Sequence, residues 1–339
     1  MEKISLKVKI LVQGMVPIEQ FDIHQYVLNK NELQRDLVEK NEDDFFFSPL
    51  HLINAVMQES ASKKAYFLTL DKENLDIYIP ENILEDKERL NSFLTEEVVK
   101  IVLSLERELK ITTNMDICLP IVYLKGNGEK YNFVKPFGFS NSTTSNIQAH
   151  DFTDDMKKLL GLRLSKGISI DSLGEVGEKN PRFERALDFY YDSFISSNIA
   201  TRFTLLFASL ESLFNLNGKM ISATVSKYTT NILFLEKDKE DNIFSKMKNY
   251  YSRRSFYIHG NTMKEISGEL EFDLREIVRK VLLIYWCISL NEKINDPTEM
   301  LSFIDKNNRE NLSPIIKLFI LFLEDVDYVG FYNEMLHQI

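Results

Sequence analysis

At 339 residues the chain is longer than one hydrophobic core usually supports, which points to two domains of about 100 to 200 residues each. A composition of 44% hydrophobic and 27% charged residues, with 12 Gly and 8 Pro, excludes a disordered or fibrous chain, and no apolar run reaches the roughly 20 residues of a membrane span. The net charge of -10 excludes nucleic-acid binding through a whole-surface field, so any such site has to be a local patch of Lys and Arg.

From the amino terminus, MEKISLKVKI alternates Lys with apolar residues and lacks the apolar stretch of a signal peptide, so a cytoplasmic protein with no membrane partner is expected. Cys118 and Cys287 are too few for a disulfide framework and too far apart for zinc spacing, which suits a reducing compartment. Strand-like alternation occurs in Ile4 to Val12, Tyr66 to Leu70, Leu75 to Ile79, Ile117 to Tyr123 and Tyr131 to Phe139. The last two read as a hairpin around the loop KGNGEK, Lys125 to Lys130. Between them and the earlier strands, Ile83 to Leu109 carries Leu94, Val98, Ile101 and Leu105 at helical spacing. Residues 1–180 are therefore expected to form a mixed α/β domain with antiparallel strands, suited to sensing or substrate selection. The Gly-, Ser- and Asp-containing stretch Gly161 to Pro181 reads as the loop that ends it.

Residues 181–339 read as wholly helical, so the fold class expected for the chain is α+β. The expected helices are Arg182 to Ser196, Ala200 to Leu216, Ser222 to Leu235, Asp241 to Ile258, Glu269 to Leu290 and Ser313 to Leu336. The run IIKLFILFL in the last is too short to cross a bilayer and reads as a core or dimer helix, core being preferred.

The sequence has no GxxxxGK[ST], no GxGxxG after a strand and no HExxH. Ser60 to Lys63 spells SxxK, but no KTG accompanies it, so it reads as chance. His24, His51, His150 and His337 stand apart from one another and from acids at ligand spacing, so neither a metal nor another cofactor is expected.

His259 differs. It is followed by Gly260, the residue type that commonly ends a helix in the left-handed conformation, which puts the imidazole on the last helical turn, where the helix dipole favours its protonated form. Arg254 lies five residues earlier and is long enough to reach the same place. A histidine can take a proton from a ribose 2′-hydroxyl or give one to a leaving 5′-oxygen, and an arginine fork can stabilise charge on phosphate, with no metal required. Around them, Asp241 to Lys264 holds Lys246, Lys248, Arg253, Arg254 and Lys264 against Asp241 alone; this is either a phosphate-binding patch or a solvated helix face. Upstream, Glu211 is the only charge between Phe203 and Phe214, with Phe207, Ala208 and Phe214 as helical neighbours, so its carboxylate needs a partner. Arg254 would be oriented by it; Arg253 or Lys227 would make it a simple tie between helices.

The string Arg254, Ser255, Phe256, Tyr257, Ile258, His259, Gly260 resembles the active-site motif of the HEPN superfamily, and of its Apea-like group in particular: an arginine, a polar residue, three more residues, then His-Gly. RFTLLFASLESLFN, Arg202 to Asn215, is similar to the earlier family helix that carries a glutamate in an apolar setting. The likeness covers roughly Arg182 to Leu290. It implies a helical bundle, a metal-independent endoribonuclease with Arg254, His259 and Glu211 as catalytic residues, RNA as substrate, and a homodimer that brings two Arg and His pairs into one composite cleft. Arg253, Ser255, Tyr257 and Asn261 would contact substrate, and the first domain would receive a protein or phage trigger, as in bacterial antiphage defence or toxin systems. The alternative is a non-catalytic HEPN-like module that binds nucleotide, RNA or a partner protein.

Overall fold

The computed structural model describes residues 2–32, 66–134, 150–152 and 176–325, apart from 14, 18–20, 24–25, 85, 114–117, 127–128, 217, 219, 236 and 261–265. The chain is α+β and divides into two compact units, Met1–Leu164 and Ser165–Ile339.

In the first unit, six strands form an antiparallel sheet: β1 (Glu2–Gln13), β3 (Phe21–Ile23), β4 (Tyr26–Glu32), β5 (Tyr66–Ile79), β6 (Cys118–Gly126) and β7 (Glu129–Val134), in the order β3-β4-β5-β1-β6-β7. Two short strands, β2 (Met15–Pro17) and β8 (His150–Phe152), pair in parallel. The alternation that marks these strands is realised in burial: Leu6, Ile10, Ile77 and Ile79 are buried while Lys3, Ser5, Asp76 and Tyr78 face outward. Tyr66 to Leu70 and Leu75 to Ile79, expected as separate strands, are one strand whose register against β1 slips between Leu6 and Val8. The polar Asp71 to Asn74 breaks the apolar pattern, but Asp71 and Lys72 still pair with Lys9 and Val8, and pairing resumes at Leu75 beyond the bulge. In the β6–β7 hairpin, Lys125 pairs with Lys130 and Gly126 with Glu129, so both ends of the expected loop belong to the strands; residues 127–128 and the stretch of the expected strand beyond Val134 lie outside the described residues. Helix α1 (Lys87–Thr113) buries Leu94, Val98, Val102, Leu105 and Leu109 along one stripe, with Ile101 only half-buried beside it.

The second unit is helical: α2 (Pro181–Ile195), α3 (Ile199–Phe214), α4 (Ile221–Ile232), α5 (Lys237–Ile258), α6 (Gly268–Glu292), α7 (Pro297–Lys306) and α8 (Pro314–Asp325). Its described part begins inside the expected boundary loop, where residues 176–179 make a helical turn and Asn180 caps α2. Asn180 accepts from the backbone N–H groups of Arg182 and Phe183 and donates to the Tyr285 hydroxyl at 2.9 Å. Helix α6 is buried at almost every position from Leu274 to Ser289 and packs against α2, α3, α4 and α8, forming the centre of the unit. Helix α7 was not among the expected helices. Its Asp296-Pro297 pair has breaker composition, yet Asp296 accepts from the N–H groups of Thr298 and Glu299 and Pro297 occupies the first turn, where its missing N–H costs nothing. The expected last helix is described as far as Asp325, with Ile316, Phe319, Ile320 and Leu323 buried, in keeping with a core helix. Among the described residues no helix is long and apolar enough to cross a membrane.

Candidate active site

Helix α5 supplies most of the site and α3, packed beside it, supplies the rest. The helical stretch of α5 closes at Ile258; the N–H of His259 still donates to the Ser255 carbonyl at 3.1 Å, and Gly260 follows with φ of +67°, a conformation that costs glycine nothing. His259 is therefore presented to solvent at the carboxyl end of the helix, and among the described residues its imidazole makes no hydrogen bond or ion pair. Phe256, Tyr257 and Ile258, three large apolar residues in succession, are 46%, 43% and 45% exposed beside it.

Four residues earlier than Ile258, Arg254 turns inward to α3. Its Nη2 lies 3.3 Å from Glu211 Oε1 and donates to Oε2 at 3.4 Å, and both side chains are 20% exposed. The lone carboxylate in the apolar α3 thus finds its partner in Arg254, while Lys227 pairs with Asp305 at 2.8 Å and Arg253 donates from Nε to Asn249 Oδ1 at 3.4 Å. The Glu211–Arg254 contact is loose: Oε1 is near Nη2 without the alignment of a hydrogen bond, and Arg254 Nε is buried with no hydrogen-bond partner. Tyr251, one turn earlier on α5, completes the cluster. Its hydroxyl is 3.5 Å from Arg254 Nη1, the guanidinium carbon stands 5.4 Å over its ring, and the Phe207 ring of α3 meets it edge-on at 5.4 Å between centroids. The backbone turn carrying Glu211 is anchored as well, because the Asn215 carbonyl at the end of α3 accepts from the Arg182 guanidinium at 2.9 Å.

The basic window is weaker in three dimensions than along the chain. Lys246 is bound to Asp273 of α6 at 3.1 Å, and the Tyr250 hydroxyl donates to the other oxygen of the same carboxylate at 2.8 Å. With Glu211 and Asp273 facing it, the excess of four positive charges falls to two. Lys248 is left over the Phe244 ring at 4.7 Å, and Lys264 lies outside the described residues. Burial, then the Asp273 charge, raises the Tyr250 hydroxyl far above the ordinary tyrosine range.

Of the remaining expected substrate contacts, Ser255 is half-buried on α5, Tyr257 is exposed and Asn261 lies outside the described residues. The structure brings Glu211 and Arg254 together and sets His259 at the helix end; it draws no contact between His259 and Arg254. Tyr251 was not marked by the sequence, where only its spacing of three from Arg254 could have singled it out. Among the described residues, no group of three or more His, Cys, Asp and Glu is arranged to hold a metal ion. No family model, no curated protein and no solved structure matches the chain.

Proposed function

We propose that the chain is an endoribonuclease of HEPN type whose helical unit carries the active site. The observation that supports this reading best is the pairing of Arg254 with Glu211 across α3 and α5, on the helix whose next turn exposes His259. The Arg254 side chain is 20% exposed and its guanidinium carries more N–H donors than its contacts with Glu211 and Tyr251 use, which leaves donor capacity for an anion. In the reaction, the ribose 2′-oxygen attacks the neighbouring phosphorus and the P–O5′ bond breaks, leaving a 2′,3′-cyclic phosphate and a 5′-hydroxyl. One His259 accepts the 2′-hydroxyl proton, and the protonated His259 of a second copy gives a proton to the departing 5′-oxygen. Arg254 stabilises the charge on the non-bridging oxygens.

The second copy is part of the proposal. Phe256, Tyr257 and Ile258 form an apolar rim beside His259, and meeting the same rim of another chain would cover it and oppose the two histidines. Arg253, Ser255, Tyr257 and Asn261 are assigned to RNA contact, and the sheet unit to receiving a trigger or selecting substrate, in a bacterial defence or toxin setting. One observation favours the alternative, a non-catalytic module for nucleotide, RNA or a partner protein: two acids face the basic window and halve its charge.

Incubating the full chain with total RNA and with tRNA in the presence of EDTA separates the two. Cleavage by the wild type is expected to fall by about 10²-fold or more in His259→Ala and in Arg254→Ala. RNA retention without cleavage, or cleavage unchanged in His259→Ala, overturns the ribonuclease reading.

A further inference from the structure

Glu211 reaches Arg254 through a single nitrogen, Nη2, at 3.3 and 3.4 Å. An attachment at one nitrogen is a pivot about which the planar guanidinium can turn, so Glu211 by itself does not set the plane of the fork. A second attachment at Nη1 does, and the Tyr251 hydroxyl lies 3.5 Å from it. Tyr251 is in turn held by its ring, between the edge contact with Phe207 and the overlying guanidinium. We propose that Tyr251 is a positioning residue for Arg254, its hydroxyl fixing the plane of the guanidinium so that the remaining N–H donors face an incoming phosphate. The identity of that anion rests on the ribonuclease reading; the restraint on Arg254 does not. Burial, and after it the Glu211 charge, raises the Tyr251 hydroxyl above the ordinary tyrosine range, so it stays protonated at neutral pH, accepting from Nη1 with its own proton available to Glu211.

The test uses the full chain as wild type, Tyr251→Phe and Tyr251→Ala. Rotation of the Arg254 guanidinium, followed by NMR of its Nη protons with labelled arginine, is expected to be about tenfold faster in Tyr251→Phe, the factor one net hydrogen bond carries. In RNA cleavage, Tyr251→Phe is expected to lower kcat about tenfold with KM within about twofold, as loss of orientation does. Rotation in Tyr251→Phe equal to wild type overturns the proposal, and so does a phenylalanine variant that cleaves like wild type while only Tyr251→Ala loses rate and melting temperature, because the ring alone would then suffice. If the wild type cleaves no RNA, the ribonuclease reading falls and guanidinium rotation still decides the role of Tyr251.

Discussion

Two tyrosine, cation and acid clusters sit side by side on α5, one facing Asp273 of α6 and one facing Glu211 of α3. At Asp273 each carboxylate oxygen has its own donor, Tyr250 at 2.8 Å and Lys246 at 3.1 Å. At Glu211 the contacts run from 3.3 to 3.5 Å, both carboxylate oxygens crowd one nitrogen, and Oε1 and Arg254 Nε lack hydrogen bonds. A satisfied cluster stabilises the packing of a helix and has nothing left to offer a ligand. An incompletely satisfied one, in a half-buried position, costs stability and keeps donors in reserve. Under the proposed ribonuclease reading, the difference gives the α6 side of α5 to structure and the α3 side to chemistry.

Three measurements break or sharpen that division. The largest effect on folding is expected at the satisfied cluster: Asp273→Ala strands the Tyr250 hydroxyl and Lys246, and should cost about 2 kcal/mol, read as a lower denaturant midpoint, with RNA cleavage by the folded fraction unchanged. Loss of cleavage with normal stability would put Asp273 in the active site and erase the distinction. Next is Glu211→Gln, which keeps the shape but removes the charge holding Arg254. Cleavage should fall about tenfold while stability moves by less than about 1 kcal/mol, as for a partly solvated pair. The smallest effect is a pH dependence. The raised Tyr250 hydroxyl holds its proton more tightly in the folded chain than in the unfolded one, so its contribution is fully present below the unfolded value of about 10 and drains away as pH rises above it. Urea midpoints measured through that alkaline range should fall, and fall less steeply in Tyr250→Phe; identical slopes would remove Tyr250 from the account.

Much of the fold was legible in the sequence because it depends on local pattern. Helix α5 stops where Gly260 invites a left-handed residue, and α1 carries its buried stripe at Leu94, Val98 and Leu105. Where local pattern and backbone pairing disagree, the pattern misleads. Polar residues from Asp71 to Asn74 look like a break, although one strand runs on through them, its pairing with β1 resuming on both sides of a bulge, and Asp296-Pro297 looks like an end but begins α7. Asn180 likewise sits in a loop-like stretch, and only its contact with Tyr285, far along the chain, makes it a buried cap.

By itself, then, the sequence determined that α5 ends at a histidine and a glycine, and that a lone glutamate in the apolar α3 requires a cationic partner, since a bare carboxylate among phenylalanines is too costly to leave unpaired. The tertiary structure alone decided which cation answers. Neighbouring residues on a helix point about 100° apart, so Tyr250 and Tyr251, adjacent in the chain, reach acids on different helices, and the rotation of α5 against its surroundings gives Arg254 to Glu211 and Lys246 to Asp273. That rotation is set by the packing of whole helix faces, and no single motif encodes it.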